Sequence, residues 1–257
     1  MIDHAPTEPD ITVYPADPSF TGPRPAILVF PGGGYRTHPG HDGEGYARWL
    51  SGIGLHAFVV RYPLLTAYRF PAPLESGRQA LDRVRSGDHG LDVDPGRVGV
   101  IGSSAGGHLA ALLATGTVLS IEDLPEPPPR PDFAVLAYSL ADLRLLPEAP
   151  VSFVLDGRTE LRDELSPGLH IDSETCPAFL WATAGDQPGF VNTMAMANAY
   201  FTAGIPVELH IYPRGGHGVG LADGVAYGEY GHADIPHTAQ WTRACAAWLR
   251  DSGFLTP

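Results

Sequence analysis

The pentapeptide Gly102-Ser103-Ser104-Ala105-Gly106 sets two serines between an apolar run, VGVI (98–101), and a helix-like run, AGGHLAALLAT (105–115). A serine hydroxyl there could act as a nucleophile if a base takes its proton and donors receive the oxyanion. A strand-to-helix turn this tight strains its central residue and exposes that residue's side chain. Glycines two positions to either side relieve the contact between strand and helix. Ser104 has Gly102 and Gly106 at that spacing, whereas Ser103 has Ile101 and Ala105, so Ser104 is the candidate. In a chain with 31 glycines the pattern alone is weak. Turns of this kind also bind phosphates or cap helices. No Gly-Lys-Ser/Thr is present, however, and no G-x-G-x-x-G follows the first strand.

The other requirements can be sought along the chain. After the run AILVF (26–30) comes Pro31-Gly32-Gly33-Gly34-Tyr35, in which the glycines let backbone N–H groups converge on one spot. The oxyanion donors are expected to be the N–H groups of Gly33, Gly34 and Ala105, the last opening the helix after Ser104. A merely flexible glycine loop is the competing reading. The base and its orienting acid should follow later strands, acid first. AFLWATA (178–184) runs into Gly185-Asp186, and VELHIY (207–212) runs into Pro213-Arg214-Gly215-Gly216-His217. Asp186 would fix the imidazole tautomer, and His217 would deprotonate Ser104 and then protonate the leaving group. Rivals are His108, one helical turn past Ser104, and His232 and His237, which no strand immediately precedes. For the acid they are Asp142, Asp156 and Asp172.

These residues need a scaffold that brings strand ends together. The runs 26–30, 56–62, 98–102, 133–138, 178–184 and 207–212 are nearly continuously apolar, as strands covered on both faces are. Helical patterns lie between them at 43–51, 74–87, 105–115, 191–203 and 236–251, with Gly204 a natural left-handed cap. Repeated β-α-β alternation implies an α/β fold with a mostly parallel sheet and right-handed crossovers. LPEPPPRP (124–131) reads as a surface connection. Residues 139–176 are the least periodic and read as an irregular insert at the sheet edge or site rim. No linker divides the chain, so residues 1–257 are expected to form one domain.

Composition narrows the partners. The 257 residues carry a net charge of −13 and no dense basic run, which excludes nucleic-acid or anionic-membrane binding as an expectation. No apolar run approaches the roughly 18 residues of a membrane helix. The start, MIDHAPTEPDITVYP, shows no basic stretch before an apolar core, so no secretory signal and a cytoplasmic location are expected. Cys176 and Cys245 are too few for a disulfide framework and read as buried thiols. No His/Asp cluster has metal-ligand spacing, and neither metal nor cofactor is expected.

Together the glycine-rich loop, the G-x-S-x-G turn and Asp before His resemble the α/β-hydrolase superfamily. PGGGY, FPAPLESGRQAL, IGSSAGGHLAA and ELHIYPRGGHGVGLA further resemble bacterial acetylxylan-esterase-like and hormone-sensitive-lipase-like serine esterases, from about Ala26 to Leu249. The resemblance implies a cofactor-free serine carboxylesterase that passes through an acyl-enzyme and prefers short acyl groups, often acetyl esters on sugars. The segment after Asp186, QPGFVN, departs from the family's acidic-x-x-Val-Pro wording. Pro31 replaces a histidine at the oxyanion loop, which suits the acetylxylan-esterase-like branch. A small-molecule ester, polar and uncharged, is the expected partner. The charged residues of 139–176 suggest a polar rim, and THPGHDGEG (37–45) could present polar groups to a sugar. Two alternatives stand: an amidase or peptidase of the same fold, arylformamidase-like or prolyl-peptidase-like, and a non-catalytic scaffold.

Overall fold

A computed structural model describes residues 2, 4–121, 129–227 and 233–255. Most of the apolar runs form strands that bury both faces. β2 (Arg24–Phe30), β3 (His56–Val60), β5 (Ala134–Ala137) and β6 (Ala178–Thr183) are buried at every position. With β1 (Ile11–Tyr14), β4 (Val93–Ser103) and β7 (Val207–Tyr212) they make one seven-stranded sheet in the order β1-β3-β2-β4-β5-β6-β7. All neighbours pair in parallel except β1, which runs antiparallel to β3. The expected α/β-hydrolase architecture is present, and β1 is a strand whose short, half-exposed pattern gave no signal. Residues 124–128 of the proline-rich connection lie outside the described residues.

Alternate strand residues point to opposite faces, and the core divides accordingly. Leu28, Phe30, Val60, Val100 and Leu180 pack on one side with α2 (Ala72–Ser86), α3 (Ser104–Ala114) and α5 (Gln187–Ala203). Ile27, Val29, Ile101, Val135 and Trp181 pack on the other with α1 (Tyr46–Gly52) and α6 (Trp241–Asp251). Trp181 stacks on Trp241 with ring centroids 4.7 Å apart. The helix ends obey local rules: α2 and α5 stop at Gly87 and Gly204, both left-handed, and Pro188 sits in the first turn of α5.

Residues 139–176 are not wholly irregular. They contain α4 (Glu148–Leu155) and three single 3₁₀ turns. Val151, Val154 and Leu155 of α4 are buried and join the core on the α3 side.

The register does the positioning. Phe30 pairs with Gly102, Ser103 with Ala137, Ala137 with Trp181, and Thr183 with Tyr212. The carboxyl ends of β2, β4, β5, β6 and β7 are therefore level, and the segments that follow them meet at one edge. Open parallel sheets generally bind ligands there.

Candidate active site

Ser104 occupies the turn between β4 and α3 with φ +52°, in the left-handed region that costs a non-glycine residue about 1–2 kcal/mol. Close packing explains its two glycines. A Cβ on Gly102 would strike the Gly106 carbonyl, and a Cβ on Gly106 would strike the carbonyl of Phe30 in β2. Ser103 is fully buried, so Ser104 alone of the pair reaches the cavity.

Ser104 Oγ lies 2.7 Å from His217 Nε2, and His217 Nδ1 lies 2.8 Å from Asp186 Oδ2. Asp186 is 2% exposed and caps α5, its Oδ1 accepting the Gly189 N–H at 3.1 Å. Gly189 must be glycine here, because a Cβ would collide with the Asp186 carboxylate. The histidine turn is pinned from two sides: the Thr183 hydroxyl donates to Gly215 O at 2.9 Å, and the Thr238 hydroxyl donates to Arg214 O at 2.6 Å. A carboxylate accepting from Nδ1 leaves Nε2 as the lone-pair nitrogen facing Ser104, as a general base requires.

The glycine turn follows β2. Gly33 and Gly34 have φ +89° and +62°, conformations that suit glycine. Gly34 and Ala105 border the same cavity as Ser104 and His217, and Gly33 adjoins them half-buried. Ala105 lies in the first turn of α3, whose leading N–H groups have no partner within the helix. The turn is braced by residues that spacing did not single out. Tyr62 OH donates to Pro31 O at 2.7 Å and Gly32 O at 3.0 Å, and the buried Asp42 accepts the Gly32 N–H at 3.3 Å.

Asp42 also links the two halves of the site. Its Oδ1 accepts from Tyr138 OH at 3.1 Å, and Tyr138 in turn accepts the Gly220 N–H at 3.2 Å. Burial pushes the Tyr138 phenol well above its ordinary range, which keeps it protonated as a donor. The Tyr138 ring presents an edge to His217 at 5.3 Å between centroids. THPGHDGEG thus supports the glycine turn through Asp42.

The rival residues stand elsewhere. His108 is fully buried between Tyr35 OH and Leu165 O, each 2.7 Å away, and burial holds its pKa down at about 4. His237 packs against Tyr212, and His232 lies outside the described residues. Asp142 pairs with Arg144, Asp156 faces Arg69, and Asp172 pairs with Arg130. Cys176 and Cys245 are buried free thiols, and burial pushes Cys176 up to about 12. Among the described residues, no group of three or more His, Cys, Asp or Glu could hold a metal, and no helix is long and apolar enough to cross a membrane.

The cavity over Ser104 has a volume of about 500 Å³. Its walls correct the expectation of a polar rim. Leu140, Leu146, Pro150, Phe153 and Val154 of the insert face it, with Pro188 of α5. The insert's charges take other partners: Asp142 pairs with Arg144 and Glu148 with Arg162, while Asp156 and Asp172 face Arg69 and Arg130 outside it. Composition had shown how many charges the segment carries but not which side they take.

Fold and site meet in a known group. Residues 27–221 match the family described as alpha/beta hydrolase fold, and the chain belongs to that family. Among proteins of known name, it is 30% identical over 226 residues to endo-1,4-beta-xylanase B of Butyrivibrio fibrisolvens, covering 80% of this chain and 35% of that protein. It is 28% identical over 239 residues to the acetylxylan esterase of Xylanibacter ruminicola, covering 88% of this chain and 47% of the other. The chain thus spans about a third and about half the length of these two curated relatives. Among solved structures, the acetyl ester-xyloside bifunctional hydrolase from Caldicellulosiruptor lactoaceticus superposes with a TM-score of 0.84 at 36% identity. That match covers 96% of this chain and 89% of the other.

Proposed function

We propose that this chain is a serine carboxylesterase that removes short acyl groups, acetyl foremost, from esters of carbohydrates. The observation that carries the reading is the relay Ser104 Oγ to His217 Nε2 at 2.7 Å and His217 Nδ1 to Asp186 at 2.8 Å, opening on an accessible cavity. The acetylxylan esterase and the acetyl ester-xyloside hydrolase among its relatives support the acyl group and the sugar.

In this reading Ser104 Oγ attacks the ester carbonyl carbon while its proton passes to His217 Nε2. The carbonyl electron pair moves onto oxygen, where the N–H groups of Gly33, Gly34 and Ala105 receive it. Collapse of the tetrahedral adduct breaks the bond to the alkoxy oxygen, which takes the proton from His217 and leaves as the alcohol. Water then attacks the acyl-Ser104 ester, giving its proton to His217, and a second collapse releases the carboxylic acid and restores Ser104. Asp186 holds the imidazole tautomer throughout and stabilises the imidazolium.

The test compares wild type with Ser104→Ala on p-nitrophenyl acetate, butyrate and octanoate and on an acetylated xylo-oligosaccharide. Acetate-preferring turnover that extends to the sugar and vanishes in Ser104→Ala is expected. Hydrolysis of N-formyl arylamides in preference to matched esters would move the reading to an amidase. Failure to turn over any ester, with no labelling of Ser104 by an organophosphonate, would leave a non-catalytic scaffold.

A further inference from the structure

The cavity over Ser104 contains one charged side chain that the ester chemistry does not use. Arg36 lines it two residues past Gly34, with its backbone N–H donating to Gly33 O at 3.0 Å, so its base belongs to the glycine turn. Its guanidinium lies over the ring of Phe153 in α4, Cζ 3.5 Å from the ring centroid. Phe153 is a wall of the same cavity. Stacking on an aromatic face holds the guanidinium plane and leaves its in-plane N–H groups to find acceptors at the rim.

Among the described residues no acceptor of opposite charge is at hand. Eight arginines among the described residues pair with a carboxylate, and Arg36 pairs with none. Among the described residues no Asp or Glu lines the cavity, and its walls are otherwise mostly aliphatic or proline. In a chain of net charge −13 an anionic substrate is repelled at long range. A fixed, unpaired arginine beside Ser104 reverses that balance locally.

We propose that Arg36 is a specificity-determining residue that binds a carboxylate on the substrate, so that an ester bearing one is favoured over its matched neutral counterpart. The proposal departs from the expectation of an uncharged substrate, and its kinetic arm rests on the esterase reading above. The carboxylate can stand on the alcohol side, as in an acidic sugar, or on the acyl side, as in the half-ester of a dicarboxylic acid. Either would meet the planar fork of the guanidinium.

The experiment measures kcat/KM for two matched pairs in wild type and Arg36→Gln. One pair is p-nitrophenyl acetate and its ring-carboxylated analogue. The other is p-nitrophenyl methyl succinate and p-nitrophenyl hydrogen succinate. The ratio of carboxylate to neutral substrate is expected to fall about tenfold in Arg36→Gln for one pair, the low end for a charge-assisted hydrogen bond because Arg36 is exposed. The pair that responds identifies the side. Equal ratios in wild type and variant for both pairs would overturn the proposal while leaving the esterase reading intact. Calorimetric binding of benzoate and of succinate to Ser104→Ala, with and without Arg36→Gln, reads the contact without turnover. An affinity about tenfold weaker in the double variant for either anion supports the proposal even if no ester is hydrolysed. Unchanged affinity, or no binding of either anion at millimolar concentration, defeats it.

Discussion

Asp186→Asn separates orientation from charge at the histidine. Two donors face the carboxylate: Gly189 N–H at 3.1 Å on Oδ1 and His217 Nδ1 at 2.8 Å on Oδ2. An amide of the same shape can accept only one of them well. If its oxygen keeps Gly189, its NH₂ faces Nδ1, the imidazole shifts its proton to Nε2, and Nε2 can no longer take the Ser104 proton. If its oxygen turns to His217, the NH₂ opposes the Gly189 N–H at a buried position, a loss of about 1–3 kcal/mol. The first arrangement is favoured by that amount, so the productive tautomer is populated at roughly one part in 5 to 150. Loss of the negative charge beside the forming imidazolium adds to this, and the serine-protease template for the same change is a fall of about 10⁴ in kcat. For this chain kcat is expected to drop by about 10³ to 10⁴ on p-nitrophenyl acetate, with little change in KM or Tm because the cap of α5 survives. Gly189→Ala should mimic part of the defect, since its Cβ would push the carboxylate off His217. A loss of only a few-fold in Asp186→Asn would refute the assignment of the acid and the tautomer argument with it.

Asp42→Asn should reduce kcat about tenfold and stability by about 1–3 kcal/mol, because one of the Gly32 and Tyr138 donors then loses its acceptor at a buried site. A lower Tm with kcat unchanged would make Asp42 structural only. His108 links stability to pH: it is held near 4 in the fold against about 6.5 unfolded, so it stays neutral while the unfolded chain takes up a proton. Its contribution is intact above pH 6.5 and lost as pH falls toward 4, about 2 to 3 kcal/mol at pH 4.5. Denaturant unfolding of wild type and His108→Asn at pH 7 and 4.5 checks this, and a stability gap between the two that does not narrow at the lower pH contradicts it.

Six of the seven strands among the described residues were legible: β2, β3, β5, β6 and the end of β4 are short apolar runs buried on both faces, and β7, half-exposed beside β6, keeps an apolar residue at most positions. β1 was not, since its four residues are half-exposed at the sheet edge and pair with β3 through backbone contacts that leave no pattern. α4 was hidden by Pro147 and Pro150, which read as loop although both fall at a helix start, where a missing N–H costs nothing. At the site, Ser104, Asp186 and His217 could be picked out because each follows a strand directly, and a level register then brings them together. Asp42 and Tyr138 could not, being 96 positions apart with no spacing rule to join them. Nor could Arg36, whose significance comes from Phe153, far away in the chain and on a different element.

The arrangement explains why strain gathers at this edge. Ser104 and Tyr138 both have positive φ, as do Gly33 and Gly34. Each stands in or beside a turn that leaves the carboxyl end of a parallel strand, where the chain must reverse within a residue or two to reach the next element. The cost is borne by the two core layers on which β4 and β5 rest, buried throughout at their last residues. What the strain supplies is placement. A relaxed turn at Ser104 would need a longer loop, and the hydroxyl would no longer be held 2.7 Å from an imidazole fixed by another strand end. Tyr138, turned at the end of the neighbouring strand, puts its ring against that imidazole and its hydroxyl on Asp42. The serine turn, the glycine turn and the histidine turn are thus coupled through buried polar groups behind the cavity, while its outer wall is left to α4. That division lets Arg36 reach from the glycine turn to the Phe153 ring of α4 at the cavity wall, apart from the atoms of the relay.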